Sequence, residues 1–134
     1  MSITRLVDRF YGELWNEVNL LAAAEILHPE VLFRGSIGLG ASGRMEVCNY
    51  ISMVTTALSD YRCDVQSVIA NGDRAAAKVR FSGIHVGEFL GYQPTGRGLE
   101  WMGAGFFAST EGLLRDIWVL GDMAILKAQL EGPS

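Results

Sequence analysis

Two histidines and a thin scatter of charged side chains are what this 134-residue chain offers for moving protons near neutral pH. His85 lies in Gly83-Ile84-His85-Val86-Gly87. An imidazole there serves as a base if it reaches a substrate, or as a brace if it bonds to the glycine-rich turn around it. His28 directly precedes Pro29 and reads as a helix-end residue. Arg80 and Ser82 are two residues apart, on one face of a strand, and that pair suits a carbonyl or carboxylate; on an outer face Arg80, like Lys78, would simply be solvated. Arg34 follows a short strand and has the same two options, a pocket mouth or solvent. Cys48 and Cys63 share no ligand-like spacing with the histidines, so no metal site is expected, and as isolated thiols they are expected to stay reduced.

Those residues need a scaffold. A length of 134 residues supports one domain with a real core and not two, so residues 1–134 are expected to fold as a unit without a linker. Hydrophobic residues make up 49% of the chain and charged residues 19%, a balance that excludes intrinsic disorder. The net charge is −4 and the Lys and Arg residues are dispersed, so the electrostatic footprint of a nucleic-acid binder is missing. No apolar run approaches the roughly 18 residues of a membrane span. Charges also interrupt the N-terminal stretch before a signal-peptide core can form. The expectation is a cytoplasmic protein that engages neither nucleic acid nor membrane.

Periodicity places the elements. Ile3, Leu6, Val7, Phe10, Leu14 and Trp15 recur at three- and four-residue steps and predict a first helix. A shorter helix follows from an Asn19 cap through Ala22-Ala23-Ala24, ended by Pro29. Val31–Arg34 reads as a strand and the glycine-rich stretch Ser36–Gly43 as a loop. Ser42 then caps a third helix whose stripe is Val47, Tyr50, Ile51, Val54 and Leu58. From Tyr61 the period shortens to two. Strands are predicted near 61–70, 74–84, 98–108 and 113–120, with turns at Asn71-Gly72-Asp73 and Thr110-Glu111-Gly112. Asp122 then caps a short terminal helix. Helices first and hairpin-joined strands afterwards make a segregated α+β fold. Trp15, Phe33, Tyr50, Trp101 and Phe107 fall on inward stripes, where large aromatics line a core or a cavity. Gly103 and Gly105 weaken a strand interior, so they predict a bulge or the close approach of a ligand, and hence a roomier pocket.

The segment from Gly83 to Arg97 resembles the hallmark of SnoaL-like polyketide cyclases and related ester cyclases: Gly-x-His-x-Gly, a few residues, then Pro-Thr-Gly. His28-Pro29, Asp116-Ile117-Trp118, Asp122 and Gln129-Leu130 agree with that family in order and spacing over nearly the whole chain. The resemblance implies the cystatin-like cone of the nuclear-transport-factor-like superfamily. In it three N-terminal helices pack in a strongly bent, mixed but mostly antiparallel sheet, with a short C-terminal helix. It also implies an apolar pocket for a small, cyclic or polyketide-like ligand, no metal or organic cofactor, and a homodimer through the outer sheet face.

Such cyclases close a ring by intramolecular aldol condensation, which needs one group to take an acidic proton and one to protonate the oxyanion. The resemblance places the family's acid/base aspartate at Val119, three residues before Asp122, and its companion glutamine and histidine at Gly103 and Gly105. None of the three can carry a proton. Losing a general acid or base removes about two to four orders of magnitude from a rate. Either His85 or Asp116 takes over that work, or a pocket lined by Trp101, Gly103, Gly105, Ile117 and Val119 only binds. Alternation sets Asp116 with Trp118 on the face opposite Ile117 and Val119, which suits a dimer face. Catalysis therefore requires His85, Asp116 or Arg80 to reach the cavity. An epoxide-hydrolase or dehydratase relationship within the same superfamily meets the same missing carboxylate.

Overall fold

A computed structural model describes residues 1–132. The amphipathic N-terminus forms α1 (Ile3–Arg9), whose first turn is closed by the Ser2 hydroxyl accepting the Arg5 amide. The helix then widens into a π-helical extension over Phe10–Asn16, a geometry that recurs at functional sites. Through it Phe10, Tyr11, Leu14 and Trp15 are all buried. A 3-10 turn at Leu20–Ala22 leads into the single turn of α2 (Ala23–Ile26), and β1 (Leu27–Arg34) follows without a loop.

The structure corrects three expectations. Asn19 makes no capping bond, β1 begins at Leu27 and not Val31, and His28 and Pro29 lie inside the strand. The strand tolerates Pro29 because its pairing with the neighbouring strand is interrupted between Leu27 and Leu32, so no ladder bond is lost. His28 turns back on its own strand, its Nδ1 accepting the Glu30 amide at 3.0 Å. The glycine-rich stretch also holds a short edge strand, β2 (Gly40–Ser42), paired with the end of β1.

α3 (Gly43–Ala57) starts on half a capping box: Ser42 contributes no side-chain bond, while the Glu46 carboxylate accepts the Ser42 amide at 2.9 Å. Val47, Tyr50, Ile51, Val54 and Ala57 form its buried face, and Leu58 already belongs to the next strand. Then come β3 (Leu58–Asn71), β4 (Arg74–His85), β5 (Gly98–Thr110) and β6 (Leu113–Gly121). The sheet order is β2-β1-β6-β5-β4-β3, antiparallel throughout except for β1 beside β6. Register breaks in β3, between Ser59 and Arg62 and between Val65 and Ser67, and another after Ala108 in β5, bend the sheet. α4 (Met123–Glu131) is capped by Asp122, which accepts the Ile125 amide at 3.2 Å. The product is an open, mixed, mostly antiparallel α+β sheet with the N-terminal helices packed on its inner face.

Candidate functional site

Strand alternation assigns each side chain of the sheet to one of two faces. Phe33 of β1, Phe81 of β4, Trp101 of β5 and Val119 of β6 are buried on the inner face. The helices supply the opposing wall. Phe10, Tyr11 and Trp15 come from the π-helical turn, Tyr50 and Val54 from α3, and Tyr61 from β3. Together with Gly35, Ser36 and Ile37 these residues enclose a cavity. Its free space is about 10 Å³, roughly what one water molecule requires. Among the described residues, no carboxylate, imidazole or cationic side chain lines it.

The aromatic walls pack edge to face. Tyr50 meets Phe33 with ring centroids 4.9 Å apart and Trp15 at 5.9 Å. Tyr50 also lines an open groove of about 380 Å³ with Leu39, Ala41, Glu46, Asn49 and Met53, so it is the wall shared by cavity and groove. Gly35 makes this seating possible, since a Cβ there would fall 2.0 Å from the Tyr50 hydroxyl.

The cavity's phenols stay protonated. Burial pushes the Tyr11 hydroxyl well above the usual phenol range, reinforced by the nearby Cys63 thiol. Tyr50 is raised by burial too, with the Ile37 backbone amide pulling it partly back. Tyr61 keeps an edge in solvent, yet burial of its hydroxyl end raises it in the same direction. The Tyr11 hydroxyl and the Trp101 Nε1 are buried with no hydrogen-bond partner among the described residues.

Of the residues singled out in the sequence, Trp15, Phe33, Tyr50, Trp101 and Val119 come together around this cavity. Phe107 and Ile117 share the inner face but fill the core beside it, Phe107 packing on Phe10 at 6.0 Å and Tyr11 at 5.9 Å. The room expected over Gly103 and Gly105 is taken by the protein itself. A Cβ at Gly103 would fall 2.6 Å from the Phe81 ring, and one at Gly105 2.8 Å from the Phe107 ring. These glycines let rings lie against the sheet and do not enlarge the pocket.

The candidates for proton transfer lie elsewhere. The parity of β4 sends Arg80 to the outer face, where it faces Glu100 across 3.5 Å, so it is not a pocket residue. Asp116 is exposed on the outer face of β6 beside Trp118, on the side away from the cavity. Arg34 does not line the cavity; it donates to the Val119 carbonyl and lies 5.0 Å over the Trp118 ring. His85 is fully buried but outside the cavity lining. Its Nδ1 accepts the Thr95 amide at 3.3 Å and lies 3.0 Å from the Thr95 hydroxyl. The ring thereby braces the 86–97 loop, whose ends are also tied by the His85 amide donating to the Arg97 carbonyl and the Gly96 amide to that of His85. Arg97 in turn donates to the Gln129 and Leu130 carbonyls, and the Gln129 amide brackets the Glu100 backbone. The hallmark segment thus fastens the loop and α4 to the sheet.

Tyr11, Tyr61, Phe81 and the Gly35–Ile37 turn line the cavity without having been singled out in the sequence. Tyr11 lies four residues after Val7 and four before Trp15, on the flank of the 3.6-residue stripe, and its hydroxyl set it apart from the purely apolar positions. Nothing in the spacing announces a π turn. Among the described residues, no cluster of three or more His, Cys, Asp or Glu side chains could hold a metal ion, and no helix is long and apolar enough to cross a membrane. Cys48 and Cys63 are free thiols.

A bent, open sheet closed by helices around an aromatic cavity defines the SnoaL and nuclear-transport-factor-like cone. The family model of SnoaL-like polyketide cyclases matches residues 5–130, and the chain belongs to that family. Among solved structures, a protein from Jannaschia sp. CCS1 assigned as a SnoaL-like polyketide cyclase superposes with a TM-score of 0.87 at 17% identity, covering 98% of this chain and 92% of that one. IdmH of Streptomyces antibioticus, assigned as a polyketide cyclase, gives 0.81 at 22% identity over 96% and 97% of the two chains. AclR of Streptomyces galilaeus, assigned as a hydroxylase, gives 0.81 at 23% identity over 98% and 85%. At these identities the likeness is one of fold. No curated protein matches the sequence significantly.

Proposed function

We propose that this protein binds a small, mainly apolar, cyclic or polyketide-like molecule in its central cavity, without a proton-transferring residue of its own and, as its family leads us to expect, without metal or organic cofactor. One observation carries the reading: the cavity at Val119 is walled by aromatic and aliphatic side chains, and the groups able to shuttle protons, His85, Asp116 and Arg80, lie outside it. Ionised ligands are disfavoured because no counter-charge lines the site. Entry requires movement, since about 10 Å³ of free space admits no ring system. The displaceable wall is Tyr50 with the Gly35–Leu39 turn, which faces the open groove.

Family membership favours a second reading, in which the bound molecule undergoes aldol-type ring closure. Orientation of the reacting carbons and neutral hydrogen-bond donors would then supply the rate in place of a carboxylate. We further propose that the outer sheet face pairs two copies. Trp118 and Phe106, 44% and 52% exposed and 5.9 Å apart, join Leu32 and Leu120 there in one apolar patch. The cytoplasm suits a protein whose thiols stay free.

The test uses alizarin, a planar tricyclic quinone, as probe. Saturable quenching of Trp15 and Trp101 fluorescence at one probe per chain is expected. Val119→Leu, which fills the free space with one more methylene, should weaken that binding about tenfold or more. Absence of saturable quenching, or a Val119→Leu variant that binds as the parent does, removes the cavity as the binding site. For the second reading, an aryl diketone that closes by intramolecular aldol condensation should cyclise faster with the parent protein than with Val119→Leu.

A further inference from the structure

We propose that the Tyr11 hydroxyl and the Trp101 indole N–H form a donor pair that seats one neutral ligand oxygen beside Val119, making the ligand a ketone or enol carried on an apolar ring. This rests on the cavity-binding reading and specifies the ligand class of the same site. Both side chains are only 2% exposed, both line the cavity, and neither polar atom has a partner among the described residues. Leaving buried donors unmade is costly enough that native proteins rarely do so. Two of them in one cavity therefore point to an acceptor that arrives there.

Their placement brackets one inner-face position. A Cβ on Gly105, which pairs with Val119 across the ladder, would lie 3.1 Å from the Tyr11 oxygen. A Cβ on Gly121, the next inward residue of β6 after Val119, would lie 3.2 Å from the Trp101 nitrogen. The donors thus approach the sheet on either side of Val119, each over a glycine, and the aliphatic side chain between them takes no hydrogen bond. The Ser36 carbonyl oxygen also stands 2.5 Å from that Cβ position at Gly121, yet it leaves the Trp101 N–H without a bond. Both donors are neutral and no cation lines the cavity, so a carbonyl or enol fits and a carboxylate does not.

The experiment compares two small probes of nearly the same shape, acetophenone and α-methylstyrene, in which C=O is exchanged for C=CH₂. The parent protein should hold acetophenone about three- to tenfold more tightly, and infrared spectra should show its carbonyl stretch shifted to lower wavenumber on binding. Tyr11→Phe should erase most of that preference and part of the shift while α-methylstyrene affinity stays constant; Trp101→Phe should reduce the remaining shift. Equal affinities for the two probes, or a carbonyl band unmoved by Tyr11→Phe, overturn the donor pair and leave those atoms to an internal water. That result spares the cavity, because α-methylstyrene still binds. If neither probe binds saturably, the cavity reading itself has failed.

Discussion

Trp101 and Phe106 stand five residues apart on β5 and meet opposite surroundings. Trp101 is packed between Phe81, Tyr61 and Phe89, while Phe106 is half in solvent against Trp118. The same division runs along every long strand. The inner face carries rings, small aliphatics and neutral donors; the outer face carries Arg80, Glu100 and Asp116 together with an apolar patch. Two surfaces of one sheet have thus separated polarity from burial. Charge was kept where water is, and the cavity lining can bind and orient but includes no carboxylate, imidazole or cation with which to move a proton.

Raising pH probes that separation most strongly. Below the ordinary tyrosine pKa of about 10, folded and unfolded chains hold the same phenolic protons. Above it the unfolded chain ionises while Tyr11 and Tyr50, raised by burial, keep theirs. The unfolded state then binds fewer protons, so stability falls as pH rises, and the loss continues until the folded-state values are reached. For these two groups the slope is roughly 3 kcal/mol per pH unit. Urea midpoints at about pH 9 and about pH 11, alongside tyrosinate absorbance, measure it. If all four tyrosines ionised at the ordinary pH with the fold intact, the inner face would be wet and the contrast between faces lost.

A pair of tryptophan truncations sharpens the comparison. Trp101→Ala should cost about 3–5 kcal/mol by opening the inner core, and Trp118→Ala about 1 kcal/mol or less in an isolated subunit. Urea denaturation at low protein concentration measures both. If the outer face pairs two copies, Trp118→Ala should also lower the dimer fraction in sedimentation experiments, whereas a monomeric parent protein would remove the interface proposal. A Trp118→Ala loss as large as that of Trp101→Ala, and independent of concentration, would mean that the outer face is core.

How much of this was legible in the sequence follows from the same geometry. Period-two alternation was enough to set Asp116 opposite Ile117 and Val119, and the helix stripe was enough to bury Leu6, Leu14 and Tyr50. It could not say which parity of β4 faced inward, so Arg80 stayed open to both roles until Val79 and Phe81 proved to be the buried pair. Glycines at 103 and 105 spoke truly of close approach, but the approaching groups are Phe81, Phe107 and Tyr11. Pro29 suggested a helix end because a single sequence does not reveal a gap in a ladder. The hallmark loop identified the family while lying outside the cavity, since the bonds of His85, Thr95 and Arg97 that give it its pattern are architectural.

The smallest expected effects are the most discriminating for function. Arg80→Met removes an outer-face partner of Glu100, in a pair whose side chains are 45% and 56% exposed. Exposed pairs contribute about 0–1 kcal/mol. Asp116→Asn removes an exposed carboxylate that lines no wall of the cavity. Each variant should stay within about 0.5 kcal/mol of the parent and bind alizarin with unchanged affinity and stoichiometry. Because both residues sit on the far side of the sheet, a loss of binding cannot come from contact with a ligand in the inner cavity. An affinity change beyond about threefold in either variant, at unchanged stability and assembly, would therefore place the binding surface on the outer face and exchange the roles of the sheet's two sides.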